Sequence, residues 1–177
     1  MSGARLKSPR SPAIRPTTGL VRGAMFSILQ SLVGDWSRVL DLYAGTGALG
    51  IEALSRGATW VDFVEHNPRN CAVIKGNLEQ TGFASQAHIY RCSVSKALSI
   101  LKEGYDVIFL DPPYSDSSLI NTLKELFSSR LAGPDSTIVV QHSSHQALPV
   151  ALKQFHLVKN RRHGDTCISI YRKEGIL

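Results

Sequence analysis

The chain has 177 residues, of which 43% are hydrophobic and 19% are charged. This length and composition predict one globular domain over residues 1–177, and no apolar run is long enough to span a bilayer. The N-terminal segment lacks the apolar region of a secretory signal, so we expect a cytoplasmic protein. The three cysteines are far apart and form no CxxC pair, which argues against a disulfide framework and predicts no metal site.

Positive charge is concentrated at the two ends of the chain, within a formal net charge of +6. Residues 1–34 contain basic side chains and no acidic one, and residues 151–177 are also predominantly basic. Basic ends on a compact body suggest a polyanionic partner such as a nucleic acid. Ordinary solvated lysine and arginine side chains explain the charge about equally well, so the charge alone does not decide between them.

The chain begins with a segment rich in Pro, Ser and Arg, which predicts an extended basic arm over residues 1–16. Thr17 and Thr18 follow as candidate N-cap residues. Apolar residues then recur at helical spacing from Val21 onward, and they predict a helix over residues 17–34.

From residue 38 to residue 173, short apolar strands alternate with helices. The predicted strands are 38–44, 59–65, 87–92, 105–111, 136–143, 155–164 and 165–173, and the predicted helices are 47–57, 67–82, 93–104 and 117–131. This alternation predicts an α/β fold, a Rossmann-like, doubly wound, mostly parallel seven-stranded sheet with helices on both faces. The last two strands have no helix between them, so they predict a hairpin turning near Gly164 and an antiparallel C-terminal edge.

The first predicted strand runs into GTGALG, residues 45–50, a GxGxxG motif that opens a helix. Such glycines let the backbone approach a ligand, and the last one lets helix and strand pack closely. Glu65 ends the next strand, where a carboxylate can accept the hydroxyl protons of a ribose. These features predict a site for NAD or for S-adenosylmethionine. Asp41 modestly favours the second, because a carboxylate suits the amino group of a methionine and opposes a pyrophosphate, although backbone donors could equally satisfy it.

The segment VIFLDPPYSD, residues 107–116, ends an apolar strand on an acid that is followed by two prolines. Ligand crevices of parallel sheets lie beyond the carboxyl ends of the strands, which places this segment beside the glycine loop. The stiff proline backbone leaves carbonyl oxygens with few local donors. An amino group could donate to the Asp111 carboxylate and the Pro112 carbonyl, and a base could stack on Tyr114. The candidate catalytic residues are Asp111, Pro112, Pro113 and Tyr114.

Taken in this order, the glycine loop, Glu65 and the D-P-P-Y segment resemble class I S-adenosylmethionine-dependent methyltransferases that act on planar or amide nitrogens. A more specific pattern combines AIRPTT at residues 13–18 with DLYAGTGALGIEALSRGA at residues 41–58. It resembles the RsmD family, which methylates guanine N2 in bacterial 16S ribosomal RNA, and with it the resemblance covers nearly the whole chain. The resemblance implies S-adenosylmethionine as cofactor and 16S ribosomal RNA within a small-subunit assembly as partner. It implies neither association with a membrane nor an obligate protein partner.

The resemblance also assigns residues to the cofactor and to the RNA. The expected cofactor-binding residues are Thr17, Thr18, Asp41, Tyr43, Ala44, Gly45, Gly47, Glu65, His66 and Ser93. The basic residues expected to hold RNA phosphates are Arg5, Lys7, Arg10, Arg15, Arg22, Arg161 and Arg162. The chain departs from the usual residues of the family at Gly19, Leu20, Gly23, Ser93 and Gln141. These departures concern RNA contacts and adenine recognition, and they leave the residues of methyl transfer in place.

Other interpretations fit parts of the pattern. N6-adenine DNA methyltransferases and glutamine-N5 methyltransferases share the D/N-P-P-aromatic motif, but the chain has no room for a separate DNA-recognition domain. An NAD-dependent oxidoreductase would need a hydride-site acid or base and a substrate domain, and the sequence shows neither. A non-catalytic RNA-binding module is disfavoured by the intact motifs. The KNRRH run at residues 159–163 fits a solvated hairpin and an RNA clamp equally well.

Overall fold

The structure, a computed structural model, describes residue 6 and residues 19–34 and 36–173. Residue 6 is the one described residue of the predicted arm, so Arg5, Lys7, Arg10 and Arg15 lie outside the described residues, as do Thr17 and Thr18 of the predicted helix. The helices are α1 Gly19–Leu32, α2 Ala48–Ser55, α3 Pro68–Thr81, α4 Val94–Ile100 and α5 Leu119–Phe127. None of these helices is long and apolar enough to cross a membrane. The strands are β1 Arg38–Leu42, β2 Trp60–Val64, β3 Ala87–Tyr90, β4 Tyr105–Leu110, β5 Ala132–Ser143, β6 Ala151–Leu152, β7 Phe155–His163 and β8 Thr166–Lys173.

The strands form one sheet in the order β3-β2-β1-β4-β5-β8-β7-β6. The first five strands of this order are parallel neighbours, whereas β8, β7 and β6 pair antiparallel. The predicted α/β fold, with its mostly parallel sheet and antiparallel C-terminal strands, is confirmed. The structure adds an eighth strand, β6, which the sequence pattern does not predict because a two-residue strand carries no periodicity.

Helices cover both faces of the sheet, and an apolar cluster lies under each layer of helices. On one face, α1, α2 and α3 pack together; Phe26 of α1 lies against Phe109 of β4 with ring centroids 5.6 Å apart, and Trp36 stacks on Phe26. On the other face, α4 and α5 pack together, and Phe127 of α5 stacks on Phe155 of β7 at 4.4 Å. Helices on both faces hold the strands rigidly, so the strand ends can serve as a fixed platform.

The chain leaves β1 and β4 toward opposite sides of the sheet, since β2 lies beside β1 and β5 lies beside β4. Such a switch point is where α/β folds open a ligand crevice at the carboxyl ends of the strands. Leu42 of β1 pairs with Val64 of β2 and with Leu110 of β4, and Leu110 pairs with Val140 of β5. The residues that follow β1, β2 and β4 therefore leave the sheet at one level.

The hairpin of β7 and β8 turns at Gly164 and Asp165, as the sequence predicts. Gly164 has a φ of +62°, which favours glycine in the tight turn. Because β8 is antiparallel to β5 and β7 is antiparallel to β8, β7 runs in the same direction as β5. Thr166 pairs with Ser143 at the end of β5, so the tip of the hairpin lies at the carboxyl edge of the sheet.

Candidate active site at the carboxyl edge of the sheet

The loop after β1 contains glycines whose conformations or close neighbours disfavour a side chain. Gly45 and Gly47 have φ values of +59° and +81°, which L side chains rarely adopt. A Cβ on Gly47 would lie 3.2 Å from Ile74 and 3.3 Å from Phe63. A Cβ on Gly50 would lie only 2.3 Å from the Phe63 ring. The last glycine therefore lets α2 pack directly on β2, which is the role that the sequence predicts for it.

Glu65 follows β2 and holds the glycine loop through its carboxylate. Its Oε1 accepts the Gly45 N–H at 3.0 Å and its Oε2 accepts the Asn67 N–H at 2.8 Å. The side chain is buried, and the exposed His66 ring lies beside it with Nδ1 3.6 Å from Oε2. Each carboxylate oxygen has a second acceptor position. Glu65 can therefore hold the loop and still accept a hydroxyl proton from a ligand.

Asp41 lies within β1, and only 1% of its surface is exposed. Its Oδ2 accepts the Gly50 N–H at 3.0 Å, so the carboxylate holds the first turn of α2. Burial raises the pKa of Asp41 well above its usual range; the Gly50 N–H opposes this shift, and the negative charges of Asp111 and Glu65 add to it. Asp41 therefore has a backbone hydrogen-bond partner, one of the two roles that the sequence allows for it, and contact between Asp41 and a cofactor stays a prediction.

The D-P-P-Y segment follows β4 directly, at the switch point. Asp111 is half-buried, Pro112 is buried and Pro113 is exposed. The Pro113 carbonyl accepts the Asp116 N–H at 2.9 Å, which closes a turn before α5. The segment therefore leaves a central strand, turns back at once, and keeps Asp111 at the level of the glycine loop.

Two phenols lie where segments of this edge meet. Tyr114 is half-buried, and its hydroxyl is hydrogen-bonded to the Thr166 hydroxyl at the start of β8. Tyr43, the first residue after β1, has a φ of +58°, which is uncommon for an aromatic residue. Burial raises the pKa of the Tyr43 phenol, the Thr122 side chain of α5 lowers it, and Asp116 adds to the rise, so both residues lie near the phenol. Tyr43 therefore brings the glycine loop close to the start of α5, a position that the sequence does not reveal.

Asn77 of α3 supports the glycine loop, although no sequence motif identifies it. It is fully buried, and its Nδ2 donates to the Thr46 carbonyl at 3.0 Å. It lies between Ile74 and Leu78 on the buried face of α3. An asparagine at such a position is the signal that could have identified it, since buried amides need hydrogen-bond partners.

The remaining expected cofactor residues lie at the same edge. Ala44 is buried, and its N–H donates to the Val64 carbonyl at 3.0 Å. Ser93 follows β3 and caps α4, with its Oγ accepting the Lys96 N–H at 3.1 Å. Ser93 is exposed, so a ligand has access to it. The cofactor contacts of Ala44 and Ser93 stay predictions.

Basic side chains lie at the tip of the β7–β8 hairpin, on the edge that carries the D-P-P-Y segment. Arg161 and Arg162 are exposed near the end of β7. The Arg162 Nε donates to the Gly164 carbonyl at 2.9 Å, so this guanidinium lies over the turn. Arg22 lies in α1 and is half-buried. Of the expected RNA-binding residues within the described ranges, Arg161 and Arg162 are therefore brought to the edge of the crevice.

A chain of hydrogen bonds links the buried His142 of β5 and Ser169 of β8 to the exposed Asn160 of β7. The His142 ring has Nε2 2.7 Å from the Ser169 hydroxyl and Nδ1 3.0 Å from the Ser143 carbonyl. A carbonyl only accepts, so we assign the proton to Nδ1 and the acceptor role to Nε2. Asn160 Nδ2 donates to the same Ser169 oxygen at 3.2 Å. Burial lowers the pKa of His142, which favours the neutral ring that this chain requires.

A family model described as Conserved hypothetical protein 95 matches residues 1–172 of the chain. The chain belongs to this family, the RsmD family. It is 33% identical over 176 residues to YlbH of Bacillus subtilis, covering 98% of this chain and 95% of that protein. It is 29% identical over 173 residues to the Escherichia coli protein named Ribosomal RNA small subunit methyltransferase D, covering 98% and 86%.

Solved structures agree with this RsmD assignment. The yhhF protein of Escherichia coli superposes with a TM-score of 0.84 at 26% identity, covering 98% of this chain and 93% of that one. A hypothetical protein of Thermus thermophilus superposes with a TM-score of 0.82 at 30% identity, covering 96% and 94%. The resemblance predicted from the R-P-T-T and glycine-loop motifs is confirmed.

Proposed function

We propose that the chain is an S-adenosylmethionine-dependent methyltransferase that transfers a methyl group to the exocyclic N2 of a guanine in 16S ribosomal RNA. One observation carries the proposal. The glycine loop, held by Glu65, and the D-P-P-Y segment leave adjacent parallel strands at one level. The first offers a nucleotide site, and the second offers two acceptors for an amino group. Membership of the RsmD family, with a relative named as a small-subunit ribosomal RNA methyltransferase, supports the substrate.

The charges of this edge fit a cationic cofactor. The carboxylates of Glu65 and Asp111 lie close enough to Asp41 to raise its pKa. Such a cluster attracts the sulfonium and ammonium groups of S-adenosylmethionine and repels the pyrophosphate of NAD. Nothing lies within 4 Å of the position that a Cβ of Gly45 would take, so the loop backbone is open to a ligand.

The residues that would hold the cofactor follow from this arrangement. The backbone of Gly45 and Gly47 would approach it, and Glu65 would accept protons from the ribose hydroxyls. The further contacts proposed on the same edge involve Asp41, Tyr43, Ala44, His66 and Ser93. Thr17 and Thr18 lie outside the described residues and are proposed from the family motif alone.

When bound, S-adenosylmethionine supplies an activated methyl group, so the protein has to position the nucleophile. An amino group has two N–H donors, and the Asp111 carboxylate and the Pro112 carbonyl offer two acceptors. Hydrogen bonds to both would favour a pyramidal nitrogen whose lone pair points away from them. The Asp111 charge would also stabilise the positive charge that develops on nitrogen. The nitrogen that has accepted the methyl group would be positively charged and strongly acidic, and it would release one of its two protons to solvent, so a strong general base is not required.

The target base also has to reach the crevice and stay there. A guanine within folded RNA has to be swung out of its stack before an enzyme can act on it. Tyr114 would then provide a surface for stacking, typically worth about 1–3 kcal/mol per base. Arg161 and Arg162 would hold phosphates beside it and make RNA affinity depend on salt. We also propose that the substrate is an assembled small ribosomal subunit and that the protein is cytoplasmic.

The test is a methyl-transfer assay with methyl-labelled S-adenosylmethionine. Wild-type protein is incubated with undermethylated small ribosomal subunits, naked 16S RNA and duplex DNA, and RNA hydrolysates are analysed for N2-methylguanosine. We expect label in N2-methylguanosine. Asp111→Ala should abolish turnover while cofactor binding persists, whereas Asp135→Ala, which removes an exposed acid from the amino end of β5, should retain activity.

The outcomes separate the alternatives. Label in DNA or in a protein glutamine would replace the proposed substrate. Cofactor binding with no label in any nucleic acid or protein would favour a non-catalytic RNA-binding module. Near wild-type turnover by Asp111→Ala would show that Asp111 does not position the amino group.

A further inference from the structure

The hydroxyl contact between Tyr114 and Thr166 joins the proposed catalytic segment to the basic hairpin. The two residues are 52 positions apart in sequence and belong to different parts of the sheet, β4 with its following segment and β8. Neither the glycine loop nor the acceptors at Asp111 and Pro112 take part in this contact. The contact is therefore a separate feature of the site, with no role in the proposed cofactor binding or in the acceptors for the amino group.

Thr166 is a rigid anchor for the Tyr114 phenol. It is the first residue of β8 and pairs with Ser143 of β5 on one side and His163 of β7 on the other. A threonine side chain is branched at Cβ and stiff at χ1. Its hydroxyl therefore has a nearly fixed position relative to the sheet.

The position of the Tyr114 ring is fixed at two points. The backbone before Tyr114 is stiffened by Pro112 and Pro113, which both have a restricted φ. A tyrosine side chain has only two further rotatable χ angles that move the ring. A hydrogen bond at the distal hydroxyl therefore restrains the plane of the ring as well as its direction.

The same contact couples the ring to the hairpin tip. Thr166 pairs with His163, and Arg161 and Arg162 immediately precede His163 on β7. A phosphate held at these arginines and a base stacked on Tyr114 would therefore be located relative to one another through the backbone of the hairpin.

We infer that Thr166 is a positioning residue for methyl transfer: its hydroxyl fixes the Tyr114 ring on which the target base stacks and aligns that ring with the basic hairpin. The inference rests on the proposed function and adds a residue that neither the motif nor the family assignment identifies. Thr166 does not touch the reacting atoms, so its effect is on how often the bound base is correctly placed.

The experiment compares variants of Thr166 in the assay with wild-type substrate. Thr166→Val keeps the size and branching but removes the hydroxyl, and it should lower kcat about 3- to 10-fold, the range expected for one hydrogen bond. The KM for RNA and the Kd for S-adenosylmethionine should change less than about twofold, because neither binding surface is altered. Thr166→Ser restores the hydroxyl and should recover most of the lost rate.

Three further variants distinguish positioning of the ring from a purely structural effect. Tyr114→Phe should lower kcat to the same extent as Thr166→Val, and the double variant should be no slower than either single variant, since both remove one contact. Thr137→Val is the matched control, because its Oγ1 is buried in β5 without a hydrogen-bond partner among the described residues. It should leave kcat unchanged.

The inference is overturned if Thr166→Val retains wild-type kcat, if Thr166→Ser is as slow as Thr166→Val, or if the two single effects multiply in the double variant. Failure of the proposed function gives a different result. If the proposed function is wrong, the wild-type protein itself transfers no methyl group to RNA, and the inference about Thr166 fails with it.

Discussion

Replacing Gly50 by alanine tests whether the glycine loop depends on direct packing of α2 against β2. The added Cβ would lie 2.3 Å from Phe63 Cε1 and 2.9 Å from Val61 Cγ1. Both side chains are fully buried, so neither can move into solvent. Carbon atoms pack best at about 3.5–4.0 Å, so α2 has to move outward by about 1 Å. This movement would pull the Gly50 N–H away from the Asp41 carboxylate.

The energetic terms oppose one another, and their sizes decide the outcome. Alanine improves on glycine within a helix by roughly 1 kcal/mol. Overpacking a rigid core costs about 1–3 kcal/mol, and weakening a hydrogen bond to a charged group costs about 1.5–3 kcal/mol. We therefore expect Gly50→Ala to lower the free energy of unfolding by about 1.5–5 kcal/mol, and Tm by about 2–4 °C for each kcal/mol.

The matched control is Gly76→Ala in α3, where the added Cβ meets nothing within 4 Å beyond the adjoining residues of its own helix. This variant has the same gain in helix propensity without the clash, so it should be as stable as wild type or up to about 1 kcal/mol more stable. Guanidinium chloride unfolding of the three proteins gives the comparison, and calorimetric titration with S-adenosylmethionine reports the loop. If Gly50→Ala is as stable as Gly76→Ala, close packing of α2 does not hold the loop.

Three further predictions concern the charged and titratable groups. Glu65→Gln should weaken S-adenosylmethionine binding about 10- to 100-fold in calorimetry, because the amide can satisfy only one of the two backbone N–H groups that the carboxylate accepts; an unchanged Kd would contradict the assignment. Since burial raises the pKa of Asp41, a cationic cofactor should lower it again, so binding should release protons and tighten as pH rises. Calorimetry in buffers of different ionisation enthalpy measures this release, which should shrink in Asp41→Asn; equal release by both proteins would refute the linkage. Burial lowers the pKa of His142 below its ordinary value of 6.5, so the unfolded chain takes up the proton first and stability falls as pH drops through that value. Unfolding midpoints measured down to about pH 5 should show a flatter dependence for His142→Gln, and identical slopes would exclude His142 as the cause.

The architecture could be predicted from the sequence because its signals are local. Alternating apolar strands and helices predict the doubly wound sheet, and two adjacent strands with a short turn predict the antiparallel hairpin. The pattern places the start of β5 too late, since Gly133 and Pro134 look like a loop. In the structure β5 begins at Ala132, and the Ser136 hydroxyl supports this start by accepting the Gly133 N–H at 2.8 Å. The Ser136 side chain replaces part of the strand pairing at the start of β5. The periodicity of apolar residues cannot reveal such a side-chain hydrogen bond.

The site could be predicted in its position but not in its internal contacts. The sequence places the glycine loop, Glu65 and Asp111 at strand ends, and parallel strands bring these ends together. It does not reveal that Asp41 accepts the Gly50 N–H, or that Asn77 supports the loop, because both depend on how α2 and α3 pack. The sequence shows that acidic residues adjoin the proposed site of a cationic cofactor. It does not show how deeply each carboxylate is buried, and burial decides how readily a ligand reaches it.

The order of the strands divides the proposed reaction between the two halves of the sheet. The cofactor loop and Glu65 follow β1 and β2 on one side, and the basic hairpin of β7 and β8 lies on the other. Asp111 follows β4, between them. Methyl transfer needs the nucleophile, the methyl carbon and the sulfur in line at near-attack distance. The two halves of the sheet therefore have to hold the cofactor and the RNA at a fixed distance and orientation. The Tyr114 phenol connects the segment after β4 to the hairpin side through its hydrogen bond to Thr166. The Tyr43 phenol lies near Asp116 and Thr122, on the side of the glycine loop. In the proposed reaction, the Tyr114–Thr166 hydrogen bond therefore adds an alignment that the backbone of the sheet sets only at its strand ends.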